Sequence, residues 1–168
     1  MTTTRRVPDR SWMDRDNRLA ASLEPSHRRP PHPGLWLKRL RETGNDIALK
    51  RSGENSTRQL RLVAYVSTRP GVGGDAHRDG DLARVRVMAE ARGHYIGHYV
   101  SDQLGPQAPS RRPGWQEARR LVQQGFADGI ACLDRYAISA HNDEYELEVR
   151  WLAEHAAPLL LDRHEAAT

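Results

Sequence analysis

Several short polar clusters stand directly beside apolar runs in this chain, and their residue types suit phosphate chemistry. Ser67-Thr68-Arg69 follows the run 62–66, Asp102 follows 95–100, and Asp134-Arg135 follows 129–133. Arg111-Arg112 precedes an apolar stripe that begins at Trp115. Guanidinium forks match phosphate oxygens in two-point hydrogen bonds. A hydroxyl beside them is a candidate nucleophile toward phosphorus, with the arginines holding the charge that develops. Strand-end polar residues also cap helices, so residue type alone leaves both readings open.

Such chemistry needs one sheet edge to gather these residues. The runs 62–66, 95–100, 129–133 and 158–161 are short, apolar and β-prone, as buried parallel strands are. Between them Leu82, Val85, Met88 and Ala89, then Trp115, Ala118, Leu121 and Val122, then Tyr145, Val149, Leu152 and Ala156 recur at helical spacing. Gly71, Gly73, Gly74 and Gly80 predict a flexible loop before the first of these helices, and Gly93 and Gly125 predict stops. Asn142 is expected to cap the last helix, with Asp143 and Glu144 at the positive end of its dipole. Alternating strands and helices imply parallel pairing through right-handed crossovers. The expected fold is therefore α/β, a small, mainly parallel sheet of four to five strands between helical layers. In such sheets the working crevice lies at the carboxyl ends of the strands.

The motifs at those ends resemble the catalytic domain of the serine recombinases, the resolvase/invertase family. Residues 61–66 with Ser67-Thr68 are similar to the family's opening strand and nucleophilic serine. Tyr99-Val100-Ser101-Asp102 is similar to its second strand. Arg112-Pro113-Gly114-Trp115 is similar to its Arg-Pro-Gly-Leu, and Leu133-Asp134-Arg135-Tyr136 to its Leu-Asp-Arg-Leu. Order and spacing agree from about residue 61 to 163. The resemblance implies a three-layer resolvase-like fold and cleavage of DNA through a phosphoserine link, followed by strand exchange within an oligomer, without metal or other cofactor. Carried over by position, Ser67 is the nucleophile, Arg112 and Arg135 clamp the scissile phosphate, and Asp134 orients an arginine or assists proton transfer. Arg69, Asp102 and Arg111 are auxiliary candidates.

The sequence also departs from the family pattern. Tyr65 stands where an arginine two residues before the serine is usual, and aligning on the tyrosine instead would put Arg69 at the serine position. Ile138 stands where a further arginine is expected, and Val85 where a glutamine is. The family's long dimerisation helix and C-terminal DNA-binding module are expected to have no counterpart. Losing one transition-state donor typically costs about 10²–10³ in rate. Two function classes follow: a serine recombinase with reduced or lost activity, or an inactive module of the same fold that binds DNA or a recombinase partner.

Charge divides the chain. Residues 1–60 carry 13 lysines and arginines against 7 aspartates and glutamates, and residues 61–168 carry 13 against 15. Residues 1–58 read as a basic, Pro-containing, disordered extension able to neutralise DNA phosphates, and residues 59–168 as the domain. Within the extension Leu35, Trp36, Leu37 and Leu40 could form a short amphipathic segment. No apolar run approaches the roughly 20 residues of a membrane span, and a cytoplasmic protein is expected. The single cysteine, Cys132, cannot form an intrachain disulfide. His94 and His98, four apart on an expected strand, do not share a face as they would on a helix. Trp115 and Trp151 are expected in the core, and Asp143, Glu144, Glu146 and Glu148 on a solvated face.

Overall fold

Strand β1, Arg61–Thr68, alternates its side chains between two apolar layers. Val63 and Tyr65 enter one layer, while Leu62, Ala64 and Val66 enter the other. Burial on both faces explains why this strand is apolar without a polar alternation. The computed structural model describes residues 32–51, 58–68, 71, 74–103, 107–163 and 165. Around β1 lie β2 (Tyr95–Gln103), β3 (Gly129–Cys132) and β4 (Leu159–Leu161), all parallel, in the order β2-β1-β3-β4. A bulge at Gly97 shifts the β1–β2 register between Leu62 and Val63. A Cβ on Gly97 would lie 2.6 Å from Arg61 Cγ, so the bulge admits only glycine without movement of that side chain.

Helix α2 (Gly74–Ala91) covers one face through Val85, Met88 and Ala89. Helices α3 (Pro113–Gln123) and α4 (Asn142–Glu154) cover the other through Trp115, Ala118, Leu121, Tyr145, Val149 and Leu152. The expected α/β architecture and each of its four strands are thus present. The stretch 74–80, read from its glycines as loop, is the opening of α2 instead. Gly74 has a positive φ of 55° and Gly80 has open space around it, so neither glycine interrupts packing. His141, rather than Asn142, occupies the N-cap of α4, and its side chain makes no capping bond.

A further helix, α1 (Pro33–Arg51), lies within the stretch read as extension. It turns Leu37, Arg41 and Ala48 inward, all buried, and leaves Leu35, Trp36 and Ile47 exposed. Arg41 Nε donates to Glu165 Oε1 at 2.6 Å, and the Tyr145 hydroxyl donates to the same oxygen at 2.7 Å. Gly44 lets α1 approach α4 closely, since a Cβ there would sit 3.1 Å from the Ala153 methyl. Residues 32–168 form one compact unit, which therefore includes α1; residues 1–31 and 52–57 of the expected extension lie outside the described residues.

Two acidic residues differ from the expected solvated face. Glu148 is buried, accepting from Trp115 Nε1 at 2.9 Å and Arg119 Nη1 at 3.2 Å, because the indole N–H and guanidinium offset its desolvation. Glu144 accepts from the Ser139 hydroxyl at 2.6 Å. Trp115 is fully buried, whereas Trp151 is half-buried beneath the Arg119 guanidinium and against the His155 ring.

Candidate active site

The carboxyl ends of β1 and β3 open on a crevice of about 320 Å³. Ser67 and Thr68 end β1 there, and Asp134 and Tyr136 follow β3. His77 and Asp81 enter from α2, and Arg163 follows β4. The crevice therefore joins Ser67 and Asp134 from the expected set with His77, Asp81 and Arg163, which the sequence reading missed. His77 and Asp81 were hidden because glycines suggested a loop there; one helical turn apart on α2, they lie 3.5 Å from each other.

Asp134 has two partners. Its Oδ1 accepts the Ala137 amide at 3.2 Å, capping the 3₁₀ turn Arg135–Ala137, and its Oδ2 accepts Arg163 Nη2 at 2.7 Å. Its arginine partner is therefore Arg163, whose side chain is 57% exposed at the crevice mouth.

The two arginines assigned to the phosphate stand elsewhere. Arg112 is 5% exposed. Its Nε donates to the Gln107 carbonyl at 3.0 Å, and its Nη1 to the carbonyls of Ala137 and Ile138 at 3.2 and 2.9 Å. It braces the loop after β3 against the start of α3. Arg135 is 6% exposed, donates through Nη2 to the Ala140 carbonyl at 2.9 Å, and lies over the rings of Tyr136 and Tyr145. Its buried Nε has no hydrogen-bond partner among the described residues. Neither arginine lines the crevice.

Asp102 ends β2 as a helix cap. It accepts the amides of Gly114 and Trp115 at 2.8 and 2.9 Å, at the positive end of α3. The Tyr65 hydroxyl donates to its second oxygen at 3.0 Å. Burial, then the neighbouring Asp102 charge, pushes the Tyr65 phenol far above its usual range, so it is a neutral donor; Arg112 only partly offsets this. The tyrosine at a position where the resemblance expects arginine thus serves a structural network. Pro113 fits the first turn, where its missing N–H leaves no bond unmade. Arg111 is exposed on the 3₁₀ turn Pro109–Arg111. Arg69 lies outside the described residues.

Cys132 is buried, and burial, then the Asp134 charge, pushes its thiol well above its ordinary range, which fits a core residue rather than a nucleophile. Among the described residues no group of three histidines, cysteines or carboxylates is arranged to hold a metal ion, and no helix is long and apolar enough to cross a membrane.

No family model and no curated protein matches the chain. Among solved structures it is similar to the C-terminal catalytic domain of ISC1926 TnpA, an IS607-like serine recombinase, at 14% identity and a TM-score of 0.50, over 60% of this chain and 69% of that one. A likeness at that identity speaks for the fold: a four-stranded parallel α/β domain of the kind found in that recombinase's catalytic domain.

Proposed function

We propose that this chain is a recombinase-fold module that works beside DNA or a recombinase without cutting DNA itself. The observation that carries this reading is the state of Arg112, whose guanidinium is buried on three main-chain carbonyls. Turning it toward a phosphate would strand those carbonyls, at about 1–3 kcal/mol for each buried group left unpaired. Arg135 is equally enclosed. Among the described residues the arginine that lines the crevice, Arg163, is already paired with Asp134, and Asp81 adds negative charge beside it. Contact with DNA then falls to the basic residues of the N-terminal 60, through phosphate neutralisation rather than base readout.

A second reading, phosphoryl transfer from Ser67, has its own support. Ser67 opens on the crevice, and the unpartnered Arg135 Nε is a donor that a phosphate oxygen could satisfy if the loop after β3 moved. Covalent trapping separates the two. Labelled supercoiled and linear DNA is incubated with the protein, alone and with an active serine recombinase, beside a Ser67→Ala control. The expected result is no Ser67-dependent protein–DNA adduct under any condition. An adduct that disappears in Ser67→Ala would replace the first reading by the second.

A further inference from the structure

We infer that the pocket between α1, the end of α2 and the amino ends of β1, β2 and β4 binds a small carboxylic acid, its carboxylate on Arg92 and His94 and its apolar body on the leucines beside them. The pocket has a volume of about 430 Å³, within the roughly 300–1,000 Å³ of small-molecule sites. Leu60, His94 and Pro158 line it, and each stands directly before a strand, so the pocket lies at the opposite end of the strands from the crevice.

Its lining carries cations and no carboxylate. Arg41 and Asn45 reach it from α1, but their polar atoms are engaged. Arg41 meets Glu165 at 2.6 Å, and Asn45 exchanges two hydrogen bonds with Leu159. Arg92 differs. Its Nη2 donates to the Leu161 carbonyl at 2.8 Å and its Nη1 to Met88 Sδ at 3.1 Å, both uncharged acceptors. A guanidinium carries more N–H donors than these two bonds use, and Arg92 makes no ion pair among the described residues. Asp162, which lines a neighbouring groove with Arg92, pairs with Arg84 at 3.5 Å. His94 is partly buried and accepts the Leu60 amide through Nδ1 at 3.4 Å, which puts the proton of the neutral ring on Nε2. Burial, then the Arg92 charge, holds its pKa below the ordinary histidine value, so the ring is a neutral donor beside the cation.

One cation and one neutral donor match a single negative charge, and a planar carboxylate takes two parallel bonds from a guanidinium. The carbonyls at the end of α2 are turned away from such a ligand onto nearby amides: Ala89 accepts from Arg92 and His94, and Glu90 from Gly93. Leu49, Leu60, Pro158 and Leu160 make the rest of the lining apolar. A bare inorganic anion would leave that surface uncovered, whereas an acid with an apolar body covers it.

The test uses the full chain with phenylacetate as the probe, phenylacetamide as its uncharged counterpart and inorganic phosphate as a bare anion. Titration calorimetry reads binding, and the NMR signals of the His94 ring read its place. The expected results are saturable binding of phenylacetate that moves the His94 signals, and binding at least about tenfold weaker for phenylacetamide and for phosphate, the size of one charge-assisted hydrogen bond. Arg92→Gln should weaken phenylacetate about tenfold and leave phenylacetamide unchanged, whereas Arg92→Lys should retain part of the preference for the acid. If Arg92→Gln fails to fold, the comparison of acid with amide on the wild-type chain still decides. Equal binding of acid and amide would remove Arg92 as the recognising charge. Phosphate bound as tightly as phenylacetate would remove the apolar body. Absence of binding up to about 10 mM, or binding that leaves the His94 signals unmoved, would leave the pocket without this ligand. Each of these outcomes overturns the inference.

Discussion

The Gly114 amide donates to Asp102 Oδ1 at 2.8 Å, across a gap that leaves no room for a side chain. A Cβ on Gly114 would lie 2.8 Å from the Ser101 carbonyl oxygen and 2.9 Å from Asp102 Oδ1. The Arg-Pro-Gly sequence thus joins β2 to α3: the proline starts the helix, and the glycine brings its amide end onto the strand. Gly114→Ala is expected to destabilise the domain by about 2–3 kcal/mol, because main chain must shift to admit the methyl. Asp102→Asn should cost less, about 1–2 kcal/mol, since it keeps one acceptor but turns a donor toward an amide. Urea denaturation of the two variants checks the order, and an Asp102→Asn loss exceeding that of Gly114→Ala would contradict this account of the joint.

Arg112 gives a second prediction, in which stability and DNA contact separate. If its guanidinium braces the carbonyls of Gln107, Ala137 and Ile138, Arg112→Met should lower stability by roughly 3 kcal/mol and Tm by roughly 10 °C. DNA affinity of the folded variant should remain within about twofold of wild type, since a buried group neutralises no phosphate. A variant that keeps its Tm and loses DNA affinity would make Arg112 a phosphate ligand.

These two joints show what the sequence could and could not disclose. The runs 62–66 and 129–133 are legible as strands because parallel strands buried on both faces have no polar alternation to blur them. Helix α1 is legible only at its start, where Leu37 and Leu40 mark an amphipathic segment; Arg41 and Asn45 further along show as docking residues only through their partners Glu165 and Leu159. Glu148 has the same difficulty: a glutamate between Leu147 and Val149 gives no sign of the indole N–H waiting across the core. For Arg112 the obstacle is deeper. The same four residues fit a phosphate clamp or a loop brace, and the choice depends on whether carbonyls lie within reach of the guanidinium.

Acid should release α1. Burial opposes the Glu165 carboxylate, but the bonds from Arg41 and Tyr145 outweigh it and hold its pKa below the ordinary glutamate value of 4.5. A depressed carboxylate contributes stability that is present above the unfolded value and is lost as pH falls through the folded one. Stability should therefore hold down to about pH 5 and decline below it. Glu165→Gln should be less stable than wild type near neutrality, and the difference should shrink as the pH is lowered. Urea midpoints measured from pH 7 to 3 read this directly, and a gap that stays constant over that range would remove Glu165 as its source.

The boundary of the compact unit leads to a prediction about two truncations. Residues 1–31 carry 7 lysines and arginines against 4 acidic residues, and α1 carries 5 against 2. The basic excess is thus shared between residues 1–31 and a helix built into the compact unit of residues 32–168. Removing residues 1–31 should leave Tm within about 2 °C, since no described core contact is lost, while weakening non-specific DNA binding and flattening its dependence on salt by several units of slope. Removing residues 1–58 should do more. It strips Leu37 from the core, leaves the fully buried Glu165 without Arg41, and exposes the edge of β4, so Tm should fall by at least about 10 °C or the domain should fail to fold. Thermal melts and salt-dependent binding of both truncations decide the matter. Equal Tm values for the two would return α1 to the status of a dispensable leader, and unchanged salt dependence after the shorter cut would shift DNA contact from residues 1–31 to the domain itself.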